Sequence, residues 1–269
     1  MENDIRQPRT ALDKRRVLDA AIEAGHILLQ NGAEISRVEE TMERICRHYG
    51  VMTGEFFVLS NGIFTTAGHT SDKSFARVQH IPVKGARMDK VVAVNQLSRE
   101  IEDGRYMRIE DVERKLAEIN AMPPESMWKQ VLASGIGSGF FCMLFGGGIR
   151  DCISAFFAGL LLFVFVLKLS MPYMSKIVGN LLGGMLVVLF SLSFYHVGLG
   201  TNLSYMISGS IMPLIPGIAF INGIRDIANG DYISGAVRLL DAVLVFLAIA
   251  IGMGAMFTIY HALTGGATL

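Results

Sequence analysis

From Ala11 the apolar positions Val17, Ala21, Ala24 and Leu28 recur at intervals of three and four, which predicts an amphipathic helix to Gln30 with Asn31-Gly32 as its left-handed stop. A second helix follows at once. Ile35, Val38, Met42, Ile45 and Tyr49 step by three and four down one face, Glu40/Arg44 and Glu43/Arg47 are acid-before-base pairs one turn apart, and Gly50 ends the run. Together they predict a helical hairpin. The period then drops to two: Phe56 to Ser60 and Ile63 to Thr66 read as strands joined at Asn61-Gly62, a dipeptide suited to two positive φ angles. A third strand is expected at Phe75 to Ile81, stopped by Pro82, and helices at about Met88 to Ile101 and Ile109 to Ile119.

Beyond Trp128 the amphipathic pattern gives way to long apolar runs. Five spans are expected: Gln130 to Ile149, Cys152 to Leu167, about Ile177 to His196, about Leu203 to Ile224, and about Val237 to Leu263. Ile177 to Ile224 is a run of 48 residues without Asp, Glu, Lys or Arg. Inside it, Pro213 and Pro216 each remove a backbone donor and Gly217 loosens the chain, so the fourth span is predicted to be broken. Unwound backbone at membrane depth survives only where protein or a polar cavity satisfies it.

Charge separates the two halves. Residues 1–127 hold 18 of the 24 Lys+Arg and 20 of the 24 Asp+Glu, although the whole chain is neutral with a mean hydropathy of +0.43. The expected class is therefore mixed: an N-terminal soluble α+β domain followed by an all-α transmembrane domain of about five helices with a Pro-Gly-broken fourth span. The expected boundaries are a disordered tail over 1–10, a cytoplasmic α+β domain over 11–120, a linker over 121–127 and a membrane domain over 128–269. Lys129, Lys168, Lys176, Arg225 and Arg238 fall on one side of five spans and Arg150 on the other, which predicts an inside amino terminus. The polar start, without an apolar core before a cleavage site, predicts no secretory signal. Balanced charge gives no nucleic-acid footprint.

Candidate chemistry follows from polar groups in apolar surroundings. Asn222, Arg225 and Asp226 fall at i, i+3 and i+4 just past the break, one face of a resumed helix. With Asn180, Pro213, Pro216, Gly217 and Asp241 they form the candidate substrate and ion pathway, and Asp226 or Asp241 is a candidate proton carrier. The plainer readings are a proline kink with charges at the membrane boundary, local pairing of Asp241 with Arg238 and Asp226 with Arg225, and helix–helix hydrogen bonds for the two asparagines. Glu34, Ser36, Arg37 and Glu39 cluster at the start of the second helix, where they either serve the helix end or dock the membrane domain or a partner. Cys46, Cys142 and Cys152 are odd in number and lack any CxxC, so neither a disulfide framework nor a zinc site is expected; no metal, cofactor or catalytic residue is assigned.

Three separated segments, Asn31-Gly-Ala-Glu-Ile-Ser-Arg-Val-Glu-Glu-Thr-Met, Thr66-Ala-Gly and Met212-Pro-Leu-Ile-Pro-Gly with Arg225-Asp-Ile-Ala-Asn-Gly-Asp231, resemble the threonine/serine exporter family. The resemblance covers about Leu12 to Leu263. It implies a bacterial inner-membrane, multi-pass secondary exporter with a cytoplasmic N-terminal domain, in the split form whose other half is a separate membrane subunit. The substrate implied is a small carboxylate-bearing metabolite, threonine/serine or a dicarboxylate such as succinate. The partners implied are that homologous second membrane subunit or further copies of this chain, the small-molecule substrate and membrane lipids. A membrane-anchored hydrolase, or a sensory or binding module acting through residues 12–120, is the alternative.

Overall fold

The computed structural model of the chain describes residues 11–51, 56–67, 75–82, 85–103 and 107–264. The expected tail over 1–10 and Gly68 of the second family-like segment lie outside them. The chain divides into two compact units, one comprising Met1–Pro123 with Ile218–Leu240 and the other Pro124–Gly217 with Asp241–Leu269.

In the first unit, α1 (Ala11–Gln30) and α2 (Ile35–His48) form the expected hairpin. The intervening turn closes α1 with a paired cap: Ala33 N–H reaches Leu28 O at 3.0 Å, Gly32 N–H reaches Leu29 O at 3.2 Å, and Gly32 takes the φ of +85° that the geometry needs. Strands β1 (Phe56–Leu59), β2 (Gly62–Ala67) and β3 (Phe75–His80) pair antiparallel in that order, and α3 (Met88–Glu102) and α4 (Ile109–Asn120) follow. The core is the inward faces of these helices, with Ile22, Leu28, Ile35, Met42, Ile45, Ile63, Ile101 and Leu116 essentially fully buried. The β1–β2 turn differs from the expected one by a residue. Leu59 pairs with Gly62, so Ser60 and Asn61 form the loop, and neither has a positive φ. The loop is held from outside the hairpin: Ser60 N–H donates to Ser234 Oγ at 3.1 Å, and Ile81 N–H donates to Asn61 O at 2.8 Å.

Helix α10 (Gly217–Ala228, from Ile218 onward) and the first turns of α11 (Tyr232–Leu263, as far as Leu240) belong to the same unit. Their connection repeats the α1–α2 solution. Gly230 has φ +96°, Asp231 N–H reaches Asp226 O at 2.8 Å and Gly230 N–H reaches Ile227 O at 3.0 Å.

The second unit is built from α5 (Met127–Leu144), α6 (Ile149–Phe165), which continues through a π turn at Val166–Ser170 into the short α7 (Met171–Tyr173), then α8 (Lys176–His196), α9 (Leu203–Ile211) and the later part of α11. Small residues let these helices meet backbone to backbone. A methyl on Gly184 would strike Ile249 O, one on Gly252 would strike Leu181 O, and one on Gly209 would strike Cys142. Gly183 meets Leu214. These small-residue surfaces are thus used within the chain.

The structure corrects the expected fold class. The described residues are helical almost throughout, with a single three-stranded sheet. The N-terminal segment does not close as a clear soluble domain, because the polar backbone of its α1–α2 turn finds its partners on residues 222–238. The five expected spans also reduce. Among the described residues, Ile149–Tyr173, Lys176–His196 and Tyr232–Leu263 are long and apolar enough to cross a bilayer, and a fourth is reached only if Leu203–Leu214 with Gly217–Ala228 counts as one broken span. Helix α5 falls short because its 18 residues include Lys129, Gln130 and a series of Gly and Ser.

Candidate functional site

The densest polar constellation lies in the first unit, where one face of α10 meets the α1–α2 turn. Asn222, Arg225, Asp226 and Asn229 stand at i, i+3, i+4 and i+7, and the turn presents the carbonyls and the N–H that its own cap leaves free. Asn222 Nδ2 donates to Gly32 O at 2.7 Å. Asp226 Oδ1 accepts from the Ile35 N–H, the first residue of α2, at 3.1 Å. Asn229 Nδ2 donates to Ser36 Oγ at 3.2 Å. Glu34 Oε1 receives both Arg37 and Arg225, each at 3.2 Å.

Helix α11 completes the arrangement. It can run close beside α10 because both carry glycine at the contact: a methyl on Gly235 would lie 2.7 Å from Gly223 O. This brings Arg238 Nη1 to 3.1 Å from Asp226 Oδ2, an ion-pair distance without hydrogen-bond alignment, while Arg238 Nη2 donates to Ala33 O at 2.8 Å. Asp226 is fully buried, and the Arg238 side chain is 11% exposed. A carboxylate so placed is held by one helix N-terminal amide and one guanidinium; removing either partner strands a charge away from water.

Glu39, one turn further along α2, accepts the Val58 N–H at 3.2 Å. Burial pushes its carboxyl above the usual range, against that hydrogen bond, and the nearby Asp231 and Glu43 add repulsion. Of the residues singled out in the sequence, Glu34, Ser36, Arg37, Asn222, Arg225 and Asp226 thus converge, although about 190 positions separate the two groups. Arg238, Asn229 and Ser234 were not foreseen. The signal for Asn229 was its i+7 position on the α10 face. Arg238 gave none, since Asp241 offered it a nearer partner in sequence.

The remaining candidates lie in the second unit. Asp241 pairs with Lys176, not with Arg238, and Asn180 Nδ2 donates to Lys176 O at 2.7 Å. At the break, Met212–Leu214 form a single 3-10 turn and Ile215 N–H returns to Met212 O at 3.2 Å. A groove of about 380 Å³ opens beside it, lined by Gln130, Ser134, Gly137, Phe141, Phe163 and Pro213 among others. Small-molecule sites fall in the range of roughly 300–1,000 Å³. Gly217 opens α10 after Pro216. Asp151, between the first two expected spans, is 2% exposed and gathers the loop before α9: its carboxylate accepts from Gly148, Thr201 and Asn202 N–H at 3.0, 2.6 and 2.9 Å and from the Thr201 hydroxyl. Among the described residues no group of His, Cys, Asp and Glu could hold a metal ion.

A family model for the threonine/serine exporter matches residues 19–260. The chain belongs to the threonine/serine exporter family. It is 25% identical to a protein named "Probable succinate transporter subunit" from Klebsiella aerogenes, over 92% of this chain and 95% of that protein. The Escherichia coli protein of the same name is also 25% identical, over 92% of this chain and 96% of its own length. An uncharacterized protein of Schizosaccharomyces pombe is 26% identical over 85% of this chain, which corresponds to 31% of that longer protein. No solved structure matches. With its apolar helices of membrane length, this family member is a multi-pass membrane protein of the exporter class.

Proposed function

We propose that this chain is one subunit of a secondary exporter that moves a small carboxylate-bearing metabolite, threonine/serine or a dicarboxylate such as succinate, across the bacterial inner membrane. The observation that carries this reading is the near end-to-end match to relatives named as transporter subunits. The N-terminal segment lies on the cytoplasmic side, where its many charged residues stay hydrated, and a second membrane subunit completes the pathway. An ion gradient, of protons, drives transport. Pro213, Pro216 and Gly217 keep the fourth apolar segment broken, and the groove at Pro213 is where solute meets it. Asn222, Arg225 and Asp226, with Glu34, Ser36, Arg37 and Glu39, couple the α1–α2 turn to the segment after the break. Asn180 and Asp241, with Lys176, line a second polar position on α8 and α11.

The test is reconstitution in liposomes loaded with labelled succinate or threonine, with and without the second subunit. Efflux that requires both chains and an imposed proton gradient is expected. Full-rate efflux from this chain alone would overturn the two-subunit reading, and no efflux of either solute under any gradient would overturn the exporter assignment to carboxylated metabolites.

A further inference from the structure

Cys142 and Cys152 are ten positions apart in sequence, near the end of α5 and the start of α6, and the α5–α6 hairpin folds them onto each other. Both are free, and both thiols converge on Gly147 in the turn of that hairpin. Cys142 is fully buried; Cys152 is half-buried in the first turn of α6, with its Sγ 3.7 Å from Gly147 O. The hairpin turn between them is compact, since a methyl on Gly147 would strike the Cys142 sulfur and lie 3.2 Å from Tyr205 Cβ on α9. We propose that Cys142 and Cys152 are a dithiol pair that a small disulfide oxidant converts to an intrachain disulfide stapling the α5–α6 hairpin.

The order of events follows from access. The half-buried Cys152 thiolate attacks the oxidant RSSR, giving a protein mixed disulfide and releasing RS⁻; Cys142, beside the same Gly147, then displaces the second RS⁻ as its own proton leaves. Two protein thiols are oxidised and one RSSR is reduced to two RSH. Cys46, buried in the other unit on α2, takes no part. The staple bears on α9 because Gly209 packs directly on Cys142 and the hairpin turn on Tyr205, and α9 runs into the Pro213 turn. Its effect on transport rests on the proposed export function; the chemistry of the pair does not.

The experiment treats the full chain in native membranes with oxidised glutathione, then denatures it, labels the remaining thiols with a maleimide and maps the peptides. The expected result is one labelled cysteine of three, Cys46, with the Cys142 and Cys152 peptides linked and the label restored by dithiothreitol. Cys152→Ser and, as a second variant, Cys142→Ser should form no such link. Three labelled cysteines after treatment, a glutathione adduct that never resolves to the linked peptides, or a link that involves Cys46 would overturn the proposal. Export measured on the same membranes separates the two readings. A link with unchanged export leaves the pair in place and removes its bearing on transport, whereas no export even from the reduced protein counts against the exporter reading alone.

Discussion

Among the described residues each unit fully buries one carboxylate, and the two are held by different means. Asp151 is surrounded by donors, three backbone N–H groups and a hydroxyl, and needs no cation. Asp226 receives one backbone N–H and faces the Arg238 guanidinium. Asp151 therefore behaves as a fastener inside one fold element, gathering a loop fifty residues away. Asp226 joins segments almost two hundred residues apart and does so with net charges that cancel only while both are present. A carboxylate satisfied by fixed dipoles is rigid, whereas one balanced by a movable side chain can be released, which is why the second and not the first is proposed to take part in transport.

The largest expected effect is at that pair. Asp226→Ala or Arg238→Ala alone should lower the stability of the detergent-purified chain by about 3–5 kcal/mol, read by thermal unfolding, because each leaves a buried unpaired charge. Asp226→Leu combined with Arg238→Met should recover a substantial part of the loss; a double variant as unstable as the worse single one would mean that the ion pair is not what matters. For Asp151→Asn the expected loss is smaller, about 1–3 kcal/mol, since one amide oxygen still accepts but other N–H donors lose their partner. Gly235→Ala should cost about 1–3 kcal/mol by forcing α10 and α11 apart, and an unchanged melting temperature would contradict the close contact at Gly223.

The smallest effect concerns pH. The Glu39 carboxyl is raised in the folded state, so its contribution to stability is fully present below the ordinary carboxylate value and is lost as pH rises through the raised one. Glu39→Gln keeps an oxygen for the Val58 N–H and never ionises. The variant should match the wild type in acid and be equal or more stable near neutrality. A wild-type advantage that grows with pH would reverse this account.

Much of the local architecture was legible in the sequence, because it depends on neighbours along the chain. The α1 span, the Asn31-Gly32 stop and the strand runs follow from spacing and turn chemistry alone. The β1–β2 loop slipped by one residue because Ser234, far away in sequence, holds it. Arg238 has Asp241 one turn on as its plain sequence partner, yet the return of α11 beside α10 brings it to Asp226. The cysteines look distant until the α5–α6 hairpin closes. An independent soluble domain was the natural expectation from charge density, but charge density does not reveal that the turn's carbonyls are completed by Asn222 and Arg238.

Export is proposed to depend on the charged contact between Asp226 and Arg238. Asp226→Asn preserves shape and an acceptor for the Ile35 N–H while removing the charge. Release of succinate and threonine from cells carrying this chain with the proposed second subunit, compared at equal membrane abundance, measures the consequence directly. The account predicts a fall of about tenfold or more, a barrier change of at least ~1.4 kcal/mol. Release at the wild-type rate would contradict it.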